Sequence, residues 1–116
     1  MLKLELKFKD KILKLIETDQ SEITIGRGNN NDIIIDNLAV SKEHAAIVKL
    51  PDGYGLVDLD STNGTLLNDK DIKKASLGPQ DKISIGKHTL HIRSIDDRNA
   101  AVEDLADKTV KVSTTK

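Results

Sequence analysis

What most constrains this chain is a rhythm of short β-rich runs, none longer than seven residues, recurring from residue 2 to residue 93 with turn-forming sequences between them. In the first, Leu2, Leu4, Leu6 and Phe8 alternate with Lys3, Glu5 and Lys7, the period of a half-buried strand. Residues 11–17 fit its hairpin partner, and further runs cover 22–25, 32–35, 44–50, 55–59, 65–67, 82–85 and 89–93. Turn signals lie at 26–31, Asp52-Gly53, Asn63-Gly64, Asn68-Asp69 and Gly78-Pro79. Strands this short and closely spaced imply an all-β sandwich or barrel.

After residue 93 the alternation stops. Ile95, Val102 and Leu105 fall among Asp, Glu and Ala, which predicts a helix over 94–106 with Ser94 or Asp96 as N-cap and Asp97 in its first turn. The expected organisation is therefore a β body over 1–93, a short C-terminal helix over 94–106 packed on or beside it, and a flexible tail over 107–116. A chain of 116 residues is enough for one such domain.

Composition narrows the function. With aromatics at 2% there are no stacking platforms for single-stranded nucleic acid, and a net charge of -1 creates no general field for a polyanion. Any anion site must be local. The absence of cysteine excludes disulfides, thiolate nucleophiles and Cys-based zinc sites, and the three histidines show no metal-ligand spacing, so no cofactor is expected. No leader-like N-terminus and no membrane-length apolar run is present, and a cytoplasmic location is expected.

Three polar clusters occupy turns, where an all-β scaffold places its binding groups. They are Gly26-Arg27-Gly28 followed by Asn29 to Asp32, then Val40-Ser41-Lys42-Glu43-His44, then Ser61-Thr62-Asn63-Gly64-Thr65. Taken singly each has an ordinary explanation: a surface arginine, a turn hydroxyl, a hairpin Asn-Gly. In this order and spacing they resemble the signature of the forkhead-associated (FHA) domain family, a match that continues through Asn68, the 77–83 turn and strand, and Ile85-Gly86.

The resemblance implies a two-sheet β-sandwich of about eleven strands whose loops at one end hold a phosphothreonine peptide. It implies that Arg27, Ser41, Thr62 and Asn63 contact the ligand, and that Gly26, His44 and Gly64 build the site, with His44 holding the Arg27 loop in place. The chemistry agrees. A phosphothreonine presents about two negative charges and three acceptor oxygens, which the planar, permanently charged fork of Arg27 suits. Ser41 and Thr62 can add hydroxyl donors, Lys42 can add charge from the same loop, and the amide of Asn63 can both donate to and accept from peptide backbone. The Asn29-Asn30-Asn31 run reads as a solvated turn beside the site, and His88 and His91 receive no role.

Two positions depart from the family pattern, Asn68-Asp69 in place of Asn-Gly and Gln80-Asp81 in place of Gly-Asp, and they bear on local turn geometry rather than on the ligand. The expected partner is a phosphothreonine-containing protein or peptide made by a Ser/Thr kinase, not nucleic acid or membrane. Thr109, with Asp107 before it and Val112 after it, is a candidate phosphoacceptor that would let the tail bind its own site or a neighbouring chain's; a plain solvated tail is the other reading. The alternative function is a phosphate-independent structural or oligomerisation module. A hydrolase built on Ser41 and His44 lacks a nucleophile elbow, a phosphate loop and paired carboxylates, so no enzyme is expected.

Overall fold

The computed structural model describes residues 1–95. Eleven strands run in the order β1 (Leu2–Phe8), β2 (Lys11–Thr18), β3 (Glu22–Gly26), β4 (Ile33–Ile34), β5 (Ala45–Leu50), β6 (Gly53–Asp58), β7 (Thr65–Leu67), β8 (Lys70–Ile72), β9 (Lys74–Leu77), β10 (Lys82–Ile85) and β11 (His88–Ile95). They form a six-stranded sheet ordered β2-β1-β11-β10-β7-β8 and a five-stranded sheet ordered β4-β3-β5-β6-β9. The pairs are antiparallel except β3 with β4.

The predicted alternation becomes the core. Leu2, Leu4 and Leu6 of β1, Ile83 and Ile85 of β10, and Leu90 and Ile92 of β11 pack with Ile23, Ile25, Ile47 and Leu56 of the other sheet. Tyr54 is the aromatic side chain of that core, so its shape is set by branched aliphatics, which suit a pleated surface.

Two strands absent from the sequence expectation, β8 and β9, are short and rich in lysine and aspartate, and each forms the edge of its sheet. One flank of such a strand faces water, so its sequence carries no apolar period. Asn63-Gly64 does not close a hairpin: β6 before it and β7 after it belong to different sheets.

The helix expected from Ser94 does not begin there. Ser94 and Ile95 extend β11, paired with Lys3 and Leu2, and the register slips between Lys3 and Leu4 so that Arg93 is left over as a bulge. The bulge breaks the alternation in sequence while bringing Ile95 against the core. The β body thus runs to Ile95; the remainder of the predicted helix and the 107–116 tail lie outside the described residues. Among the described residues no helix is long and apolar enough to cross a membrane.

Candidate functional site

The loop carrying Arg27 is held from below by main chain. Gly26 ends β3, and a Cβ there would collide with the Lys42 carbonyl oxygen and come within 2.8 Å of Asn31 Nδ2. Glycine is required for this close approach rather than for a positive φ. It lets Arg27 N donate to Ser41 O at 2.9 Å and Gly28 N to Lys42 O at 3.2 Å. Arg27 Nε donates to Val40 O at 3.0 Å, which orients the guanidinium and leaves both Nη groups without a protein acceptor among the described residues.

Asn31, read from sequence as part of a solvated turn, is buried. Its Nδ2 donates to Gly28 O at 2.9 Å and to Lys42 O at 2.6 Å, locking the arginine loop to the serine loop. Beside it the Asp32 carboxylate accepts from Thr24 N at 2.9 Å, and that bond chiefly holds its pKa below the usual value.

His44 is fully buried. Its Nδ1 accepts from Ser41 N at 3.1 Å, so Nε2 carries the proton and donates to Gly64 O at 2.8 Å. The ring therefore ties the serine loop to the 61–64 loop, whereas the arginine loop is held by Asn31 and by the backbone of residues 40–42. Both ring nitrogens are spent on backbone groups, so Ser41 Oγ has no base in His44 and the dyad required for nucleophilic attack is not formed.

The 61–64 loop is organised by Asp58, a residue unassigned in the sequence. Its carboxylate, buried at the end of β6, accepts from Ser61 N at 3.2 Å, from Ser61 Oγ, and from Thr65 Oγ1 at 2.7 Å. Ser61 Oγ in turn accepts from Gly64 N at 3.0 Å, and Gly64 has φ 87, a left-handed value that favours glycine. Burial alone would raise the Asp58 pKa; the hydroxyls of Ser61 and Thr65, the Ser61 N–H and Lys73 outweigh it and hold the group below the ordinary carboxylate value. The signal available in sequence was its spacing, three residues ahead of Ser61, at which an aspartate folds a loop onto itself.

So arranged, the loops meet. Thr62 N donates to Ser41 Oγ at 3.0 Å across twenty-one residues of sequence, leaving the serine O–H to point elsewhere. Asn63 Nδ2 donates to Ala39 O at 2.8 Å, which leaves its Oδ1 and one N–H. Arg27, Ser41, Thr62 and Asn63 are thereby joined by direct bonds to one another or to the 39–41 backbone. Lys42 is exposed on the rim, in a cleft it shares with Gly28, Asn30, Asn31 and Glu43.

The other histidines sit elsewhere. His88 packs on Phe8 with ring centroids 4.8 Å apart, burial lowering its pKa, and His91 lies 4.0 Å from Glu5. Among the described residues no group of acidic, histidine or cysteine side chains could hold a metal. Thr109 lies outside the described residues.

The FHA domain profile matches residues 23–86, more than half of the chain. The "Oxoglutarate dehydrogenase inhibitor" of Corynebacterium jeikeium is 38% identical over 72 residues, covering 62% of this chain and 50% of that protein. The "Glycogen accumulation regulator GarA" of Mycobacterium tuberculosis is 35% identical over 72 residues, 62% of this chain and 44% of that protein. The chain's match thus spans about half the length of these relatives. Among solved structures, the FhaA FHA domain complexed with the intracellular domain of Rv3910 superposes with TM-score 0.72 at 26% identity, covering 80% of this chain and 100% of that one. Mycobacterium tuberculosis EmbR in complex with a low affinity phosphopeptide gives TM-score 0.73 at 27% identity, over 83% of this chain and 25% of that one.

Proposed function

Because the chain belongs to the FHA domain family, we propose that it is a phosphothreonine-dependent protein-binding module that docks a phosphorylated segment of a kinase substrate on the loops at one end of its sandwich, in the cytoplasm. The observation that carries this reading is the Arg27 guanidinium, oriented by its Nε bond to Val40 O with both Nη groups left over, on a loop bonded directly to that of Ser41. In this reading Arg27 takes two phosphate oxygens, the Ser41 hydroxyl a third, and Thr62 and Lys42 add donors at the rim. Asn63 positions the peptide backbone, and Gly26, His44 and Gly64 keep the loops together. FHA domains are binding modules, and the EmbR and FhaA structures hold a phosphopeptide and a protein domain respectively.

The tail belongs to the same proposal. Thr109 stands fourteen residues beyond Ile95, enough chain to reach about 46 Å, against about 26 Å for the eight residues of β11. Once phosphorylated, Thr109 would be within range of its own domain's site as well as a neighbour's.

Titration with a phosphothreonine peptide, its phosphoserine and unphosphorylated forms, and a phosphorylated peptide centred on Thr109 tests both parts. Arg27→Ala should weaken the phosphothreonine peptide at least about tenfold, the loss of one charge-assisted hydrogen bond or more, with unchanged thermal unfolding. Equal binding of the unphosphorylated peptide, or unchanged affinity in the variant, sinks the phosphate reading; failure of the Thr109 peptide alone sinks only the tail. The alternative of a phosphate-independent oligomerisation module draws on Ile12, Leu13 and Leu15, exposed in a row on edge strand β2. It requires an oligomer that survives both phosphatase and Arg27→Ala.

A further inference from the structure

Asn63-Gly64 is the one Asn-Gly pair of the chain, and such a pair is chemically labile: the main-chain nitrogen that follows an asparagine attacks its amide carbon, and glycine, lacking a side chain, hinders that approach least. The fold has reason to keep both residues. Gly64 has φ 87, and a Cβ on it would lie 3.2 Å from Asp71 Oδ1, while position 63 carries the amide proposed to hold peptide backbone. Burial does not shelter the pair, because Asn63 is exposed to water.

Both reactants are instead turned toward other partners. The nucleophile, Gly64 N, donates to Ser61 Oγ at 3.0 Å, and Ser61 Oγ is itself held by the Asp58 carboxylate. The electrophile, Asn63 Cγ, is fixed by its Nδ2 donating to Ala39 O at 2.8 Å. Gly64 O accepts from His44 Nε2 at 2.8 Å, which anchors the same residue on its other side. Attack therefore requires the Gly64 N–H to leave Ser61 and the Asn63 side chain to leave Ala39.

We propose that Asn63 is a modification site, a spontaneous deamidation site that the 61–64 loop keeps closed, with Ser61 as the residue that sets its rate. Gly64 N, deprotonated by solvent hydroxide, bonds to Asn63 Cγ; the Cγ–Nδ2 bond breaks, and the amide nitrogen takes up a proton and leaves as ammonia. Water then opens the cyclic imide at either carbonyl and gives aspartate or isoaspartate at position 63, with no change of oxidation state. The product has lost the donor that met Ala39 O and gained a negative charge at the end of the sandwich proposed to receive a phosphate. Isoaspartate also lengthens the main chain and draws Gly64 O away from His44. The effect on ligand binding rests on the phosphopeptide reading; the deamidation itself does not.

The test follows the amide-to-acid mass change of a peptide spanning residues 61–65 during incubation at mildly alkaline pH, for wild type folded and in guanidinium chloride, and for folded Ser61→Ala and Ser61→Thr, with thermal unfolding checked for each. The unfolded chain should deamidate at Asn63 fastest, and folded wild type at least about tenfold more slowly, the rate factor of one or two hydrogen bonds. Ser61→Ala should be faster than wild type by about fivefold, while Ser61→Thr, which keeps the hydroxyl, stays with wild type. Equal rates in folded and unfolded wild type, or a folded Ser61→Ala as slow as wild type, overturn the inference; the first comparison needs no variant and decides even where Ser61→Ala does not fold. The deamidated protein, separated from the same incubation, should bind a phosphothreonine peptide at least about tenfold more weakly than the intact protein. Unchanged binding overturns the effect on the ligand end, whereas failure of the phosphate reading itself shows as equal binding of the unphosphorylated peptide by intact protein.

Discussion

Asp58 shows how much can rest on one buried carboxylate. Three donors from Ser61 and Thr65 meet it, and removing its charge leaves them facing a poorer acceptor. Asp58→Asn should destabilise the domain by about 2–3 kcal/mol, measured by denaturant unfolding. Its folded pKa is lowered, so its contribution is present above the unfolded value near 3.9 and is lost as pH falls through the folded value. The wild type should therefore lose stability below about pH 4 more steeply than Asp58→Asn; parallel acid-unfolding curves would count against the assignment. A second residue under local tension is Gln80, at φ 71 in the 78–81 turn, where the family pattern has glycine. A left-handed conformation costs a side-chain-bearing residue about 1–2 kcal/mol, part of which glycine gives back as chain entropy in the unfolded state. Gln80→Gly should stabilise by about 0.5–1 kcal/mol, read as a raised unfolding midpoint; a lowered one would mean that the Gln80 Nε2 contact to Arg93 O at 3.4 Å matters more than its length suggests. Residue by residue, the groups proposed to face the ligand, Arg27, Ser41 and Thr62, stood out only as an ordered set resembling the family signature, since each alone reads as an ordinary turn residue. The sequence hid Asn31 and Asp58, whose importance lies in burial, which a polar side chain does not advertise.

Among the elements, β2 is the most exposed long strand, with Ile12, Leu13 and Leu15 all at least 49% accessible and one flank unpaired at the sheet edge. Such an edge invites another strand. Two features oppose it. The register of β2 against β1 shifts between Leu6 and Lys7, which bulges the strand near Leu13, and Lys14, paired with the buried Leu6, puts a charge on the core-facing side of the edge. Lys14→Val would make residues 12–16 one apolar run, and light scattering should show increased concentration-dependent self-association with phosphopeptide affinity unchanged. A variant as monodisperse as the wild type would mean that the bulge alone protects the edge. The legibility of the elements follows the same physics. Strands buried on one face, such as β1, β3, β10 and β11, print their alternation in the sequence, while β8 and β9 do not because their charged residues meet water. The helix expected from Ser94 failed at its start because a bulge at Arg93 imitates the end of a strand.

On the scale of the whole molecule, the site is a long-range object. Arg27, Ser41 and Thr62 belong to three different connections: β5 and β6 carry the chain out and back between Ser41 and Thr62, while the short β4, parallel to β3, stands between Arg27 and Ser41. Neither period nor propensity places them together, so their convergence was legible through family resemblance and not through local reading. The same end also receives the β10–β11 turn, since Gly86 lies against Ala39 and Val40. β1 therefore begins, and β11 finishes, at the other end: Phe8 faces His88 near that turn, and Leu2 faces Ile95 at the far end. Polypeptide entering at Leu2 and leaving at Ile95 does so through neighbouring strands about 5 Å apart, on the side remote from the ligand. Attachment at Leu2 or at Ile95 is accordingly made at the end of the sandwich opposite the loops of Arg27, Ser41 and Thr62, where a junction displaces none of the bonds that hold those loops together.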